Sequence, residues 1–248
     1  VGEKNFVAGQ VVENRLAVLD YSGGGTPTKT FVNLDASAFA PMATPTDFVV
    51  SPSARRGWLV ARGVDRLVEF SLTGAVPVAV GAWDIASADP NYSASLVGAR
   101  TAAVDSNGTQ VTVYCEIENS FVVIDVTGGA PTTPTTVTTT RLAFDPLPAF
   151  AKSGWASLSD AKRSLSRTSS CASCHVDLGT DNLVWQLSKF HSPEGTSNLS
   201  VLLSQAEDLK SPMQTQVLFG LPEVAPYHWR GEQHTLEEFN GAFPGLLE

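Results

Sequence analysis

The run Phe121-Val122-Val123-Ile124-Asp125-Val126, closed by Thr127-Gly128-Gly129, is the third occurrence of one plan in this chain. Arg15-Leu16-Ala17-Val18-Leu19-Asp20 leads to Ser22-Gly23-Gly24, and Leu67-Val68-Glu69-Phe70-Ser71-Leu72 leads to Thr73-Gly74. Short apolar runs that end in Gly-bearing turns read as strands, and almost no helical period accompanies them over the first ~140 residues. Matching strand pairs precede the later two runs. Asp47-Phe48-Val49-Val50-Ser51-Pro52-Ser53 leads to Gly57-Trp58-Leu59-Val60-Ala61, and Thr101-Ala102-Ala103-Val104-Asp105-Ser106-Asn107-Gly108 leads to Val111-Thr112-Val113-Tyr114. The three runs begin at Arg15, Leu67 and Phe121, so the interval between them is nearly constant. Several short strands repeated at roughly 40–50 residues point to propeller blades. A β-sandwich would alternate similarly but would not recur in this way. Residues 1–140 are therefore expected to form an all-β domain of about three blades, fewer than the roughly four to eight that close a ring.

The order of apolar strand, Ser-Pro or Asp-Ser-Asn-Gly turn, second strand, turn and Val-x-Ile-Asp-Val resembles the YVTN-type and related β-propellers over residues 11–130. Such a domain without site residues of its own is expected to be a scaffold or docking surface.

Composition bounds the partners. The 248 residues carry a formal net charge of −9, and the isoelectric point is near 4.9. Nucleic-acid phosphates would be repelled by such a surface. No run is long and apolar enough to span a membrane.

Chemistry concentrates at Cys171-Ala172-Ser173-Cys174-His175. Two thiols separated by two residues and followed by histidine form the attachment signature of c-type haem, with the imidazole as axial ligand. A redox dithiol would want a thioredoxin-like surround, and a zinc site a second ligand pair at matching spacing. Neither is present, so one haem c per chain is expected. Lys152, Lys162, Arg163 and Arg167 precede the motif and would face propionates, a partner or solvent. Cys115, alone in a strand-like run, reads as a small buried hydrophobe. Haem c is assembled outside the cytoplasm, so the chain is expected to be periplasmic or extracellular. Val1 is not a start residue and no signal peptide precedes it, which reads as a processed chain or a piece of a longer one.

The tract Ala130-Pro131-Thr132-Thr133-Pro134-Thr135-Thr136-Val137-Thr138-Thr139-Thr140 reads equally as a stiff linker or O-glycosylated stalk and as an edge strand. From Gly154 the period turns helical, with Leu158, Ala161 and Leu165 on one face and Ser157 as a cap. Leu199, Leu202, Leu203, Ala206 and Leu209 suggest a second helix. A capping box at Thr235-Leu236-Glu237-Glu238, with Leu236, Phe239 and Phe243 inward, suggests a third. Residues 141–248 are thus expected to form a mainly α-helical cytochrome c-like domain.

Ser169-Ser170-Cys171-Ala172-Ser173-Cys174-His175 with Trp185, then Gln216-Val217-Leu218-Phe219-Gly220-Leu221, Ala225-Pro226-Tyr227-His228-Trp229-Arg230-Gly231 and Thr235-Leu236-Glu237-Glu238-Phe239, resemble the bacterial di-haem cytochrome c peroxidase family over residues 155–243. The resemblance implies a haem held by Cys171, Cys174 and His175, with Trp185, His228 and Arg230 around it. His228 is the first choice as second iron ligand and Met213 the second; His191 and His234 are weaker. His228 stands one place early and Trp229 takes the family's usual His position, and there is one CxxCH where the peroxidases need two. The expected function is an electron-transfer cytochrome within a larger multi-haem protein or extracellular assembly. The alternative is a peroxidase-like oxidoreductase with its second haem elsewhere, and a haem-based sensor is a weaker third. No acid–base constellation supports the enzymatic alternative, so enzymatic activity is not favoured. The expected partners are redox proteins, other cytochrome subunits, or further copies in an oligomer or polymer.

Overall fold

In the computed structural model, residues 12–87, 89, 91–128, 138–164, 166–185, 213–229, 231 and 233–241 are described. The chain divides into two compact units, one running to Ser173 and one spanning Cys174–Gly241.

Among the described residues, the first unit contains three antiparallel sheets. The first pairs β1 (Arg15–Asp20) with β2 (Thr28–Asn33). The second orders β3 (Pro45–Ser51), β4 (Arg56–Ala61), β5 (Arg66–Ser71) and β6 (Val78–Asp84) side by side. The third repeats that order with β7 (Ala99–Val104), β8 (Gln110–Cys115), β9 (Ser120–Asp125) and β10 (Thr138–Arg141). Thr138–Thr140, at the end of the Thr-rich tract, are thus an edge strand; residues 130–137 lie outside the described residues.

The β3–β6 sheet is a meander whose central strands β4 and β5 bury both faces, whereas β8 and β9 of the next sheet bury the face toward it and leave Phe121 on the other partly exposed. Trp58, Val60 and Leu67 point one way, together with Trp83. Leu59, Ala61, Val68 and Phe70 point the other, as the period-2 geometry of a strand demands. The first set packs with Val111, Val113, Cys115, Val122 and Ile124 of the next sheet. The second set packs with Leu16 and Val32 of the β1–β2 pair and with Leu34 and Met42. Cys115 is fully buried in this core, and burial pushes its thiol pKa up.

A repeated loop residue ties the sheets together. Asn14, Asp65 and Asn119 recur at nearly the spacing of the strand runs, each just before the third strand of its unit or the first of the two-stranded pair. Their carbonyls accept from Leu34 (2.9 Å), Ile85 (2.8 Å) and Leu142 (3.0 Å), the residue following the last strand. The side chains of the first two reach the start of the next sheet. Asn14 Oδ1 accepts from the Thr44 N–H at 3.1 Å. The Asp65 carboxylate accepts from Val97, Gly98 and Ala99 at 2.6, 3.0 and 2.9 Å. Asn119 instead donates to the Phe144 carbonyl at 2.6 Å. Two further backbone bonds recur at equivalent positions of the two four-stranded sheets. Arg62 and Gly63 donate to Thr44 and Ala43, and Glu116 and Ile117 donate to Gly98 and Val97. Gly98 must be glycine: its φ is +76° and a Cβ would stand 2.4 Å from Ile117 Cγ1.

The helical expectation for residues 141–248 is corrected. One α-helix, α1 (Ala149–Ser159), is found among the described residues. It starts directly after Pro148, whose fixed φ suits a helix entrance, and not at Gly154. It ends where Asp160 turns to ψ 100° and its carboxylate accepts from the Lys162 N–H at 3.0 Å. Ala161 therefore opens a separate 3₁₀ turn, Ala161–Arg163, and Leu165 lies outside the described residues. Ala156 and Trp155 pack on Leu96 and Ile117, fixing α1 to the blade loops. Phe150 on the opposite side is exposed.

In the second unit, short 3₁₀ turns at Val176–Leu178, Leu221–Glu223 and Glu237–Gly241 alternate with a two-stranded ladder, β11 (Val184–Trp185) and β12 (Met213–Gln214). The expected helix at Thr235–Phe239 is only the last of these turns, although Glu238 does reach back to accept from His234 N–H at 2.7 Å. A few periodic apolar positions cannot offset the cost of helix nucleation, and Gly220, Pro222, Pro226 and Gly231 interrupt the run. The helix expected over 199–209 and Phe243 fall outside the described residues.

Candidate functional site

The residues singled out in sequence lie on either side of the division between units. Cys171 begins the 3₁₀ turn Cys171–Ser173 in the first, where the Ser170 N–H donates to Ser173 Oγ at 3.0 Å. Desolvation raises the Cys171 thiol pKa above its ordinary value, which suppresses thiolate chemistry. The basic residues nearby are spent locally. Lys152 is buried, donating to the Glu118 carbonyl and pairing with Asp145; Lys162 donates to the Ser95 carbonyl; and Arg163 lies 3.7 Å from Asp160. Lys152 and Lys162 tie α1 and the turn after it to the loops around the β7–β10 sheet.

Cys174, His175, Trp185, Met213 and His228 belong to the second unit. The His175 ring is half-buried, and its Nδ1 donates to the Gln216 carbonyl at 2.8 Å. Because a carbonyl only accepts, Nδ1 carries the proton and the neutral ring presents its lone pair on Nε2. Desolvation lowers the His175 pKa below the ordinary 6.5; the Gln216 and Gly179 backbone groups and Asp181 oppose this, and the nearby His228 adds to it. His228 adopts φ +74° in the 226–234 loop, which the Tyr227–Gln233 bridge closes, and its ring packs edge-on to Phe239 at 5.8 Å. Trp229 Nε1 donates to the Gln214 carbonyl at 2.6 Å, joining the same loop to β12. Trp185 is nearly buried and its Nε1 donates to Asp181 Oδ2 at 2.9 Å. Asp181 also accepts from the Leu183 N–H at 3.0 Å, the local bond of a loop. Met213 pairs with Trp185 in the β11–β12 ladder. Arg230 and His191 lie outside the described residues, and His234 is exposed.

The second unit thus brings His175 and His228 within electrostatic reach, with a ring nitrogen fixed in one tautomer. It also leaves large apolar side chains open: Phe219 is 64% and Trp229 54% exposed, and Val176 and Val217 flank the two bonded residues. Among the described residues, no three His, Cys, Asp or Glu side chains converge on a point that could hold a metal ion.

The folded pKa of His175 lies below that of the unfolded chain, so the unfolded chain takes up its proton first as pH falls. Its contribution is expected to be flat above about pH 7 and to turn destabilising as pH drops through about 6.5. Urea titrations of wild type and His175→Phe between pH 5 and pH 8, as a rough span around the ordinary His pKa, check this; the substitution should flatten the acid limb.

No family model matches the chain, and no curated protein matches it. Similar solved structures are found. One, described as a putative 6-phosphogluconolactonase from Bacteroides uniformis, is 18% identical, with a TM-score of 0.37 over 51% of this chain and 36% of that one. Another, described as the periplasmic gluconolactonase of Pseudomonas aeruginosa, is 17% identical, with a TM-score of 0.41 over 52% of this chain and 35% of that one. A putative 6-phosphogluconolactonase from Bacteroides fragilis is 14% identical, with a TM-score of 0.36 over 55% and 44%. The chain spans less than half the length of these structures.

The cytochrome expectations are corrected by the fold of the described residues. The described part of residues 141–248 lacks the wrapped helices on which a haem domain relies for its core, and its His and Cys groups do not gather into a metal site. The haem c cofactor, the electron-transfer cytochrome, the peroxidase-like alternative and the di-haem peroxidase resemblance do not stand. No helix among the described residues is long and apolar enough to cross a membrane.

Two features carry weak signals in the sequence. The Asn14/Asp65/Asn119 recurrence is visible only as matching loop positions beside the stronger strand runs. The His175–Gln216 bond spans 41 residues and leaves no local signal.

Proposed function

We propose that the chain is a ligand-binding module in which stacked propeller-type blades carry a small unit, Cys174–Gly241, that holds an apolar aromatic molecule bearing a hydrogen-bond donor. The observation that carries this reading is the half-buried His175, fixed through Nδ1 so that Nε2 is an acceptor, in a unit whose apolar side chains stand open. Desolvation keeps the ring neutral at pH 7, as an acceptor must be. His228 would share the site through its ring, and Trp185, Met213 and Cys174 would line it. A large apolar surface left open on a protein marks a binding surface, and a few well-placed polar groups then fix the ligand's orientation.

The test uses 2-naphthol and its methyl ether, 2-methoxynaphthalene, which lacks the donor. The phenol is expected to bind one per chain, to move the His175 Nε2 resonance, and to bind about 5–10-fold more tightly than the ether, the effect of roughly one hydrogen bond. His175→Phe should erase that preference while Phe219→Ser weakens both. Binding that leaves the His175 ring unperturbed would refute the reading.

A further inference from the structure

We propose that two copies of this chain close head to tail, the outer face of the β7–β10 sheet of one copy packing on the open face of the β1–β2 pair of the other. This joint is independent of the ligand site and follows from how the sheets use their faces. In the β3–β6 sheet, one face (Trp58, Val60, Leu67) packs onto the following sheet and the other (Leu59, Val68, Phe70) receives the preceding one. At the equivalent positions of the β7–β10 sheet, the receiving set becomes Val113, Val122 and Ile124, and these do receive the β3–β6 sheet. The packing set becomes Thr112, Tyr114 and Phe121. Here Tyr114 and Phe121 stack at 5.3 Å, and Phe121 is 38% exposed.

The opposite face is spare at the other end. In the β1–β2 pair, Leu16 and Val32 pack onto the β3–β6 sheet, so Ala17, Leu19 and Phe31 point away. Leu19 and Phe31 are each about half exposed. Lys29 and Arg15 stand over the Phe31 ring at 4.6 and 5.4 Å; Arg15 pairs with Glu13, so Lys29 is the cation this face offers, on a chain of net charge −9. Asp125, exposed on the same side of β9 as Phe121, offers an acidic counterpart.

One chain therefore holds both halves of a joint that it already makes internally, blade onto blade, at a nearly constant sequence interval. Such a heterologous pair of surfaces forms a ring when its rotation closes. A foreign sheet would have to match both the twist step and the charge.

Sedimentation equilibrium of the full chain from about 1 to about 100 µM, the range in which modest interfaces populate, reads the result. The expected mass is twice 26.2 kDa. Phe121→Asp and Phe31→Asp should each halve it, and an equimolar mixture of the two variants should restore a dimer, because each keeps the face the other has lost. Circular dichroism confirms that both fold; if either does not, Thr112→Arg or Leu19→Asp replaces it. Wild type that stays at 26.2 kDa throughout, or a dimer that survives both substitutions, overturns the proposal.

Discussion

Replacing Asp65 by alanine is expected to lower the free energy of unfolding by about 3–5 kcal/mol, because it leaves buried backbone donors without acceptors at roughly 1–3 kcal/mol each. The side chain is 4% exposed and accepts from three consecutive N–H groups at the entrance to β7, so no solvent can replace it. A loss of that size is a large share of a typical domain's ~5–15 kcal/mol. Urea unfolding followed by far-ultraviolet circular dichroism measures it. Asp65→Asn should fall between, since its amide keeps one acceptor oxygen but turns a donor toward other donors.

The same residue sets a pH dependence opposite in sign to that of His175. Burial raises the Asp65 pKa from 3.8 to about 7, outweighing the three N–H donors and Lys162, which favour the anion. The folded chain therefore holds this proton to higher pH than the unfolded chain does. The stability it contributes is full below about pH 4 and is lost as pH rises toward 7. In Asp65→Ala that slope should vanish over the same window.

Trp58→Ala is expected to cost about 3–5 kcal/mol, the range for emptying a buried aromatic site. Trp58 is fully buried in the core between the two four-stranded sheets. Its ring is covered by the Arg56 guanidinium at 5.0 Å, and that guanidinium pairs with Glu69 at 2.6 Å and donates to the Val126 carbonyl at 2.6 Å. Thr112 occupies the corresponding place on β8 of the next sheet. Its alanine variant should change stability by no more than ~0.5 kcal/mol, as a partly exposed position does. Equal losses at the two positions would mean that the outer face of the β7–β10 sheet is covered within the chain itself.

The strands are legible in the sequence because they are central, two-faced and bounded by turns. Phe48–Val50, Trp58–Val60, Leu67–Phe70 and Val111–Cys115 fall where the apolar runs place them. Their sheets read less clearly, since β2 and β10 are half-polar edges, Thr28–Asn33 and Thr138–Arg141, with no apolar period. Helix α1 starts at Ala149, ahead of the periodic run from Gly154, because Pro148, which a helix interior would exclude, here introduces the helix. After residue 170, short motifs are a poor guide to the chain between them. Cys171–His175 carries a strong local pattern, yet the surrounding Gly and Pro residues build turns where wrapped helices were expected. What distinguishes His175, its bond to Gln216, depends on a contact between distant segments that no local pattern encodes.

Asp65 fastens the β3–β6 sheet to the next, and amide exchange at Val97, Gly98 and Ala99 tests that most directly. If the fastening holds, these three amides exchange only through cooperative unfolding, as slowly as the central strands β4 and β8, and in Asp65→Ala they become fast while the strand centres stay protected. Exchange of Val97–Ala99 at loop rates in the wild-type chain would contradict it.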